Sequence, residues 1–243
     1  MSYLSRLLSA TAWLLMGAGW QLPAHAADWS ATSLWVLHGN TFELGDRERD
    51  ILRFEHADGW TYGDNYFFFD ATESDTAGTT MYGEFAPRLS LGKLSGKTLA
   101  FGPVKDLLLT AAVNVGSNNF RAYLYGASAD LALPGFGYFQ VNAYVRDDQN
   151  LPGTTWQITP IWLYPFKLGG LNFALQGFID YAGSEGPAAS NLLVVPRLWL
   201  DLGALWGAPG HVEAGVEYLY WRNKYGVKGV TESVLQPSLK WIF

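Results

Sequence analysis

The chain has no cysteine. That excludes a disulfide framework and any thiolate-ligated metal centre. It does not assign a compartment, because exported proteins can also lack the residue. Charge is scarce as well: 16% of residues are Asp, Glu, Lys or Arg, against about 25% in an ordinary soluble domain. Acids outnumber bases, the formal charge is −6, and no basic patch marks a nucleic-acid partner. Long apolar runs are missing beyond the N-terminal segment. The best candidate, residues 188–208, is interrupted by Pro196, Arg197 and Asp201, whereas a spanning helix needs about 20 mostly apolar residues. No metal-ligand cluster, phosphate-cradling glycine loop or catalytic carboxylate pair stands out, so no cofactor and no metal are expected. What is plentiful is aromatic side chain, 16%, and glycine, 27 residues. Tyr and Trp in such numbers suit a membrane interface, where a ring is apolar at one end and wet at the other.

Residues 1–26 read as a secretory signal peptide. Arg6 supplies the positive start, Leu7 to Leu22 the apolar stretch, and Ala24-His25-Ala26 the small-x-small cleavage site. Residues 27–243 then form one domain. Short alternating segments follow one another to the C-terminus, at about 33–43, 48–58, 60–70, 80–91, 104–115, 119–132, 136–146, 154–166, 170–182, 191–202, 210–222 and 232–243. That makes about twelve strands, each near the 9–11 residues that cross a bilayer at a tilt, and an even number suits a bacterial outer-membrane barrel. The fold expected is all-β: a transmembrane antiparallel up-and-down β-barrel. Gly- and Pro-rich turns are expected at one end, among them Ala57-Asp58-Gly59, Leu133-Pro134-Gly135 and Gly207 to Gly210. The segment Leu91 to Pro103 is too long for a tight turn. Polar loops are expected at the other end.

Successive strand side chains point to opposite faces. Met81, Gly83, Phe85, Pro87 and Leu89 share one parity; Tyr82, Glu84, Ala86, Arg88 and Ser90 share the other. The same division of greasy from polar recurs along 136–146, 170–182, 191–202, 210–222 and 232–243. Consecutive Phe67, Phe68 and Phe69 leave the facing of the third strand undecided, and 119–132 is mixed too. A twelve-stranded soluble barrel would have to fill its interior with the greasy set, but side chains just fill a barrel of about eight strands. The greasy face is therefore assigned to lipid and the polar face to a wet lumen. The candidate solute path is Arg53, Glu55, Glu84, Arg88, Tyr144, Phe178, Asp180, Arg197, Trp199, Asp201, Glu213 and Glu217. Charged groups there can exchange hydrogen bonds with a solute, and flat rings can stack on a base, which is worth about 1–3 kcal/mol per base. Alternatively, any of these charges serves only to pair with a neighbour and stiffen the wall.

The run Glu84-Phe85-Ala86-Pro87-Arg88-Leu89-Ser90-Leu91-Gly92-Lys93-Leu94, followed by Leu99-Ala100-Phe101-Gly102-Pro103-Val104-Lys105-Asp106, resembles the nucleoside-specific channel-forming Tsx family and its OmpK-like relatives. Ile51 to Ala57, with Trp60 and Tyr66 to Asp70, resembles the same family's second and third strands. The terminal Trp241-Ile242-Phe243 is similar to the closing signature of outer-membrane proteins. The resemblance implies a monomeric twelve-stranded barrel in the outer membrane of a Gram-negative bacterium. It would be embedded in lipid and lipopolysaccharide, pass nucleosides, and in some members serve as a phage or bacteriocin receptor. Ala71 to Thr79 lacks the Phe- and Gly-rich run of well-known members, which bears on selectivity and not on the barrel. Two other classes compete with a passive channel. A barrel-type lipid-modifying enzyme would need a nucleophile beside a base, and no Ser–His pairing is visible around His38, His56 or His211. A plugged structural or receptor barrel would carry the same charges without conducting.

Overall fold

The structure, a computed structural model, describes residues 27–243. The signal peptide expected at residues 1–26 lies outside the described residues. Twelve antiparallel strands follow in order: β1 (Trp29–Gly39), β2 (Arg49–Trp60), β3 (Gly63–Glu73), β4 (Thr80–Ser90), β5 (Val104–Gly116), β6 (Phe120–Leu131), β7 (Tyr138–Asp148), β8 (Thr155–Leu168), β9 (Leu171–Ala182), β10 (Asn191–Asp201), β11 (Val212–Arg222) and β12 (Thr231–Ile242). Each pairs with its sequence neighbours, and β1 pairs with β12, so the sheet closes on itself. Closure leaves no free edge, which is the condition a β structure must meet in lipid. One short helix, α1 (Leu91–Ser95), follows β4. None of the described helices is long and apolar enough to cross a membrane.

Outward residues form a continuous apolar belt. Leu34, Val36, Leu52, Phe85, Leu109, Val145, Ile158, Leu198, Leu235 and Leu239 are all exposed. A soluble protein does not leave so large an apolar band open to water. Aromatic rings flank it at both ends. Trp29, Tyr62, Trp206, Trp241 and Phe243 lie at the end that carries both termini, and Tyr123, Trp156, Tyr181 and Tyr218 lie towards the opposite end. This is the two-girdle arrangement of a barrel seated in a bilayer.

Several boundaries differ from the sequence expectation. The turn expected at Ala57-Asp58-Gly59 is strand: these residues pair with Tyr66, Asn65 and Asp64, and the chain reverses at Thr61-Tyr62. Gly59 pairs with Trp29 and its open side is filled by the Trp29 indole, so this glycine serves packing and not a turn. β1 starts and ends about four residues earlier than expected, and residues 40–43 belong to a loop that lies against β12. The long connection after β4 folds as α1 and a returning segment. Ser90 caps α1 by accepting from the Lys93 amide at 3.0 Å, and Ser90 Oγ also donates to Asp106 at 2.5 Å. That ties the start of β5 to the end of β4.

Register settles the third strand. Phe67 and Phe69 face outward and pack on Phe54, with ring centroids 6.0 and 5.7 Å apart. Phe68 faces inward between Tyr66 and Tyr82. β6 likewise points Phe120, Ala122, Leu124 and Ser128 inward, and Tyr123 and Tyr125 outward.

Gly215 of β11 shows how closely the inner wall is packed. A Cβ there would meet the Leu198 carbonyl oxygen at 2.2 Å and the Trp199 ring at 2.5 Å. Gly215→Val is expected to destabilise the barrel by about 1–3 kcal/mol, the usual range for overpacking. Thermal or urea unfolding of the detergent-extracted protein measures it.

Candidate functional site

The inner wall divides into a filled side and an open side. On the filled side Trp35 of β1 is fully buried and meets Trp199 of β10 edge to face at 4.9 Å. Arg53, Arg197 and Lys240 place their cationic groups 5.2, 5.1 and 4.8 Å from the Trp35 ring centre, within the range of a cation–π attraction. The three cations are also paired. Arg53 makes a two-pronged contact to Asp70 at 2.7 and 2.8 Å and a third bond to Glu217 at 2.9 Å. Arg197 donates to the same Glu217 oxygen at 2.5 Å. Gln236 donates to the other Glu217 oxygen at 3.1 Å, and Lys240 pairs with Glu213. Glu217 is 1% exposed, so it is held by donors on every side and offers nothing to a solute.

Two further clamps stiffen the rest of the wall. Arg88 grips Asp64 on β3 with two bonds, 2.8 and 2.7 Å, and Asp130 on β6 with one of 2.7 Å. Arg146 of β7 binds Asp148 and reaches Glu185 in the loop between β9 and β10 at 3.0 Å. Glu185 is buried and also accepts from the Asp148 amide at 2.8 Å, so this loop is anchored down into the barrel.

The open side carries partly exposed side chains. Rings of Tyr66, Phe68, Tyr82 and Phe120 follow one another up the wall with centroid spacings of 5.9, 5.9 and 6.1 Å. The row starts in the half of the barrel nearer the termini and ends at the loop between β5 and β6. Acids lie beside it. Tyr66 donates to Glu55 at 2.8 Å; Tyr82 donates to Glu84, and Asn114 donates to the same carboxylate at 3.1 Å. Across the lumen, Asp180 of β9 accepts from Thr159 at 2.6 Å and Gln157 at 3.1 Å. Phe178 lies two residues below it with Arg197 over its ring at 5.4 Å. Tyr138 of β7 accepts from Gln176 of β9 at 3.2 Å.

The loop-bearing mouth has its own lock. Lys224 is buried, donates to Glu232 and to the Glu43 carbonyl at 2.9 Å, and sits among Phe42, Trp221 and Tyr225. Burial pushes its ammonium below the usual lysine range while Glu232 pulls it back up. At the rim, Asp46 accepts from the Thr76 side chain and from the amides of Thr76 and Ala77, which hold its carboxyl down to about 2. This tie between two loops is fully present above the ordinary carboxylate range and is lost only as pH falls through about 2.

All twelve sequence candidates lie on the inward face, but they separate by accessibility. Glu55, Glu84, Phe178 and Asp180 are partly exposed on the lumen wall. Arg53, Arg88, Arg197, Glu213 and Glu217 are held in ion pairs. Trp199 is 1% exposed and packs on Trp35. Tyr144 is buried and shares a hydrogen bond with Thr110 at 3.2 Å. Asp201 binds the Ala204 and Gly210 amides at 3.0 and 3.1 Å and so holds the turn after β10. Residues left out of the sequence candidates are Tyr66, Phe68, Tyr82, Asn114, Tyr138 and Gln176. A signal for Phe68 was present: Tyr66 and Asp70 flank it at the two-residue spacing of the polar face. The histidines are elsewhere. His56 faces outward between Thr32, at 2.7 Å, and Asp58, at 3.4 Å, and His38 meets Asp50 at the loop end.

A closed twelve-strand barrel with an apolar belt, aromatic girdles and a charged interior defines an outer-membrane β-barrel of the porin type. Comparison with known proteins narrows this further. The family described as nucleoside-specific channel-forming protein, Tsx, matches residues 28–232, and the chain belongs to that family. The chain is 29% identical over 186 residues to outer membrane protein OmpK of Vibrio parahaemolyticus serotype O3:K6, covering 65% of this chain and 70% of that protein. A second OmpK from Vibrio parahaemolyticus is 32% identical over 113 residues, covering 44% of this chain and 43% of the relative. Among solved structures, the KdgM porin aligns with a TM-score of 0.53 over 87% of this chain and 99% of its own, and its complex with disordered oligogalacturonate with 0.52 over the same shares. Sequence identity is 9% in both, so that likeness concerns the fold alone. Family and fold together place the chain among Gram-negative outer-membrane proteins.

Removing Glu217 would leave the buried Arg197 guanidinium without its carboxylate and Arg53 with Asp70 alone. Glu217→Ala is expected to cost about 3–5 kcal/mol, as for other buried pairs broken on one side. Denaturant unfolding followed by tryptophan fluorescence reads it, Trp35 and Trp199 being direct reporters.

Proposed function

We propose that the chain is exported with removal of residues 1–26 and that residues 27–243 act as a monomeric channel for passive diffusion of nucleosides or similar small polar solutes. The end bearing the termini faces the periplasm, and the opposite end, with the loops 40–48, 183–190 and 223–230, faces the medium among lipopolysaccharide. One observation carries the solute class: the row Tyr66, Phe68, Tyr82 and Phe120, spaced about 6 Å apart along the wall, with Glu55 and Glu84 beside it. A planar base can move from ring to ring with little change in energy, because every base has a face that stacks. The carboxylates accept from hydroxyl and amino groups of the same solute. Within the candidate path, Glu55, Glu84, Phe178 and Asp180 touch solute. Arg53, Arg88, Tyr144, Arg197, Trp199, Asp201, Glu213 and Glu217 hold the wall in shape.

Liposome swelling with adenosine against a sugar of similar size tests this. Adenosine is expected to enter faster. Phe68→Ala is expected to reduce its advantage by an amount within the about 1–3 kcal/mol of one stacked base, without reducing sugar entry. Equal rates for the two solutes in the unsubstituted protein would remove nucleoside selectivity.

A further inference from the structure

We infer that the lumen discriminates by charge, favouring cations and neutral hydrogen-bond donors and rejecting anions. The inference uses the channel reading above but concerns a property that reading leaves open. The cations of the mid-barrel wall, Arg53, Arg88, Arg146, Arg197 and Lys240, each end on at least one carboxylate. Arg49, nearer the mouth, is bound to the carbonyls of Leu44 and Asp46. The five mid-barrel cations are each matched by a carboxylate, whereas Arg49 keeps its charge at the mouth.

Three carboxylates are in the opposite position. Glu55 accepts from a tyrosine hydroxyl, Glu84 from a tyrosine hydroxyl and an amide, and Asp180 from a threonine hydroxyl and an amide. Such neutral donors orient a carboxylate without cancelling its charge. All three are partly exposed on the lumen. Glu84 and Asp180 stand on β4 and β9, on opposite sides of the closed barrel.

A cleft of one charge sign with low-dielectric walls enriches the opposite ion by about tenfold or more.

The test is the zero-current potential of the mature barrel in planar bilayers across a KCl gradient. The expected result is K⁺ permeating about tenfold better than Cl⁻. Glu84→Gln with Asp180→Asn should bring the ratio several-fold closer to one. Glu55→Gln, a single neutral exchange, serves if the double substitution fails to fold. Equal or inverted preference in the unsubstituted barrel overturns the inference while adenosine entry can still stand. Adenosine entry with no ion current also overturns it, and loss of both overturns the channel reading as well. An unchanged ratio in the substituted barrels removes these carboxylates as its cause.

Discussion

The structure depends on how its sheet closes. Neighbouring strands such as β1 and β2 pair along their full length, from Trp29–Gly59 to Gly39–Arg49. The seam between β1 and β12 pairs only from Ser33–Ile242 to Leu37–Ser238. Inside the barrel that short ladder is bridged by side chains. Arg53 on β2 reaches over it to Glu217 on β11, Arg197 on β10 meets the same oxygen, and Trp35 on β1 lies among the cations. At the loop end the seam continues through Thr41 and Glu43, which bond to Ser233 and Glu232 on β12. A charge network this deep is a poor source of net stability compared with apolar packing. Its value is geometric: it joins strands that the chain brings together last.

This arrangement has a consequence for the lumen. The large groups that bridge the seam, Trp35, Trp199, Arg53, Arg197 and Gln236, fill the wall from β10 round to β2. The aromatic row and the acids bonded only by neutral donors occupy β3 to β9, together with Glu55. The interior is thus lopsided, and the charges of the filled side are engaged with one another. A channel whose mid-barrel cations each end on a carboxylate, while Glu55, Glu84 and Asp180 are bonded only by neutral donors, would be selective by remainder, through what its structural pairs leave over.

Much of this was legible in the sequence. A period of two marks the inner and outer face of a strand wherever greasy and polar residues alternate, and a one-residue slip would invert both. That is why strand number and the inward facing of the candidate residues could be read from the sequence, while β3, with its consecutive Phe67, Phe68 and Phe69, and the mixed β6 stayed undecided. Turns were less legible. Ala57-Asp58-Gly59 has turn composition, but its glycine is there to receive the Trp29 ring, and tertiary packing overrides the local signal. Pairing was not legible at all. Glu55 and Glu217 are both acids on the polar parity. Only the fold places two arginines beside Glu217 and a single tyrosine hydroxyl beside Glu55.

The stretch from Met81 to Asp106, which carries the family resemblance most strongly, splits along the same line. Arg88 is the clamp between β3 and β6, Ser90 and Asp106 fasten β4 to β5, and Lys93 reaches the Trp60 carbonyl at 3.2 Å. Each of these would be needed in any barrel with this connection, whatever it carries. Tyr82 and Glu84, in the same strand, face the lumen and are bonded to each other and to Asn114. Residues that identify a family through its architecture can therefore stay fixed while solute preference changes a few positions away. Family membership constrains the wall more tightly than it constrains what passes along it, and the solute path proposed above runs over the partly exposed groups of β2, β3, β4 and β9.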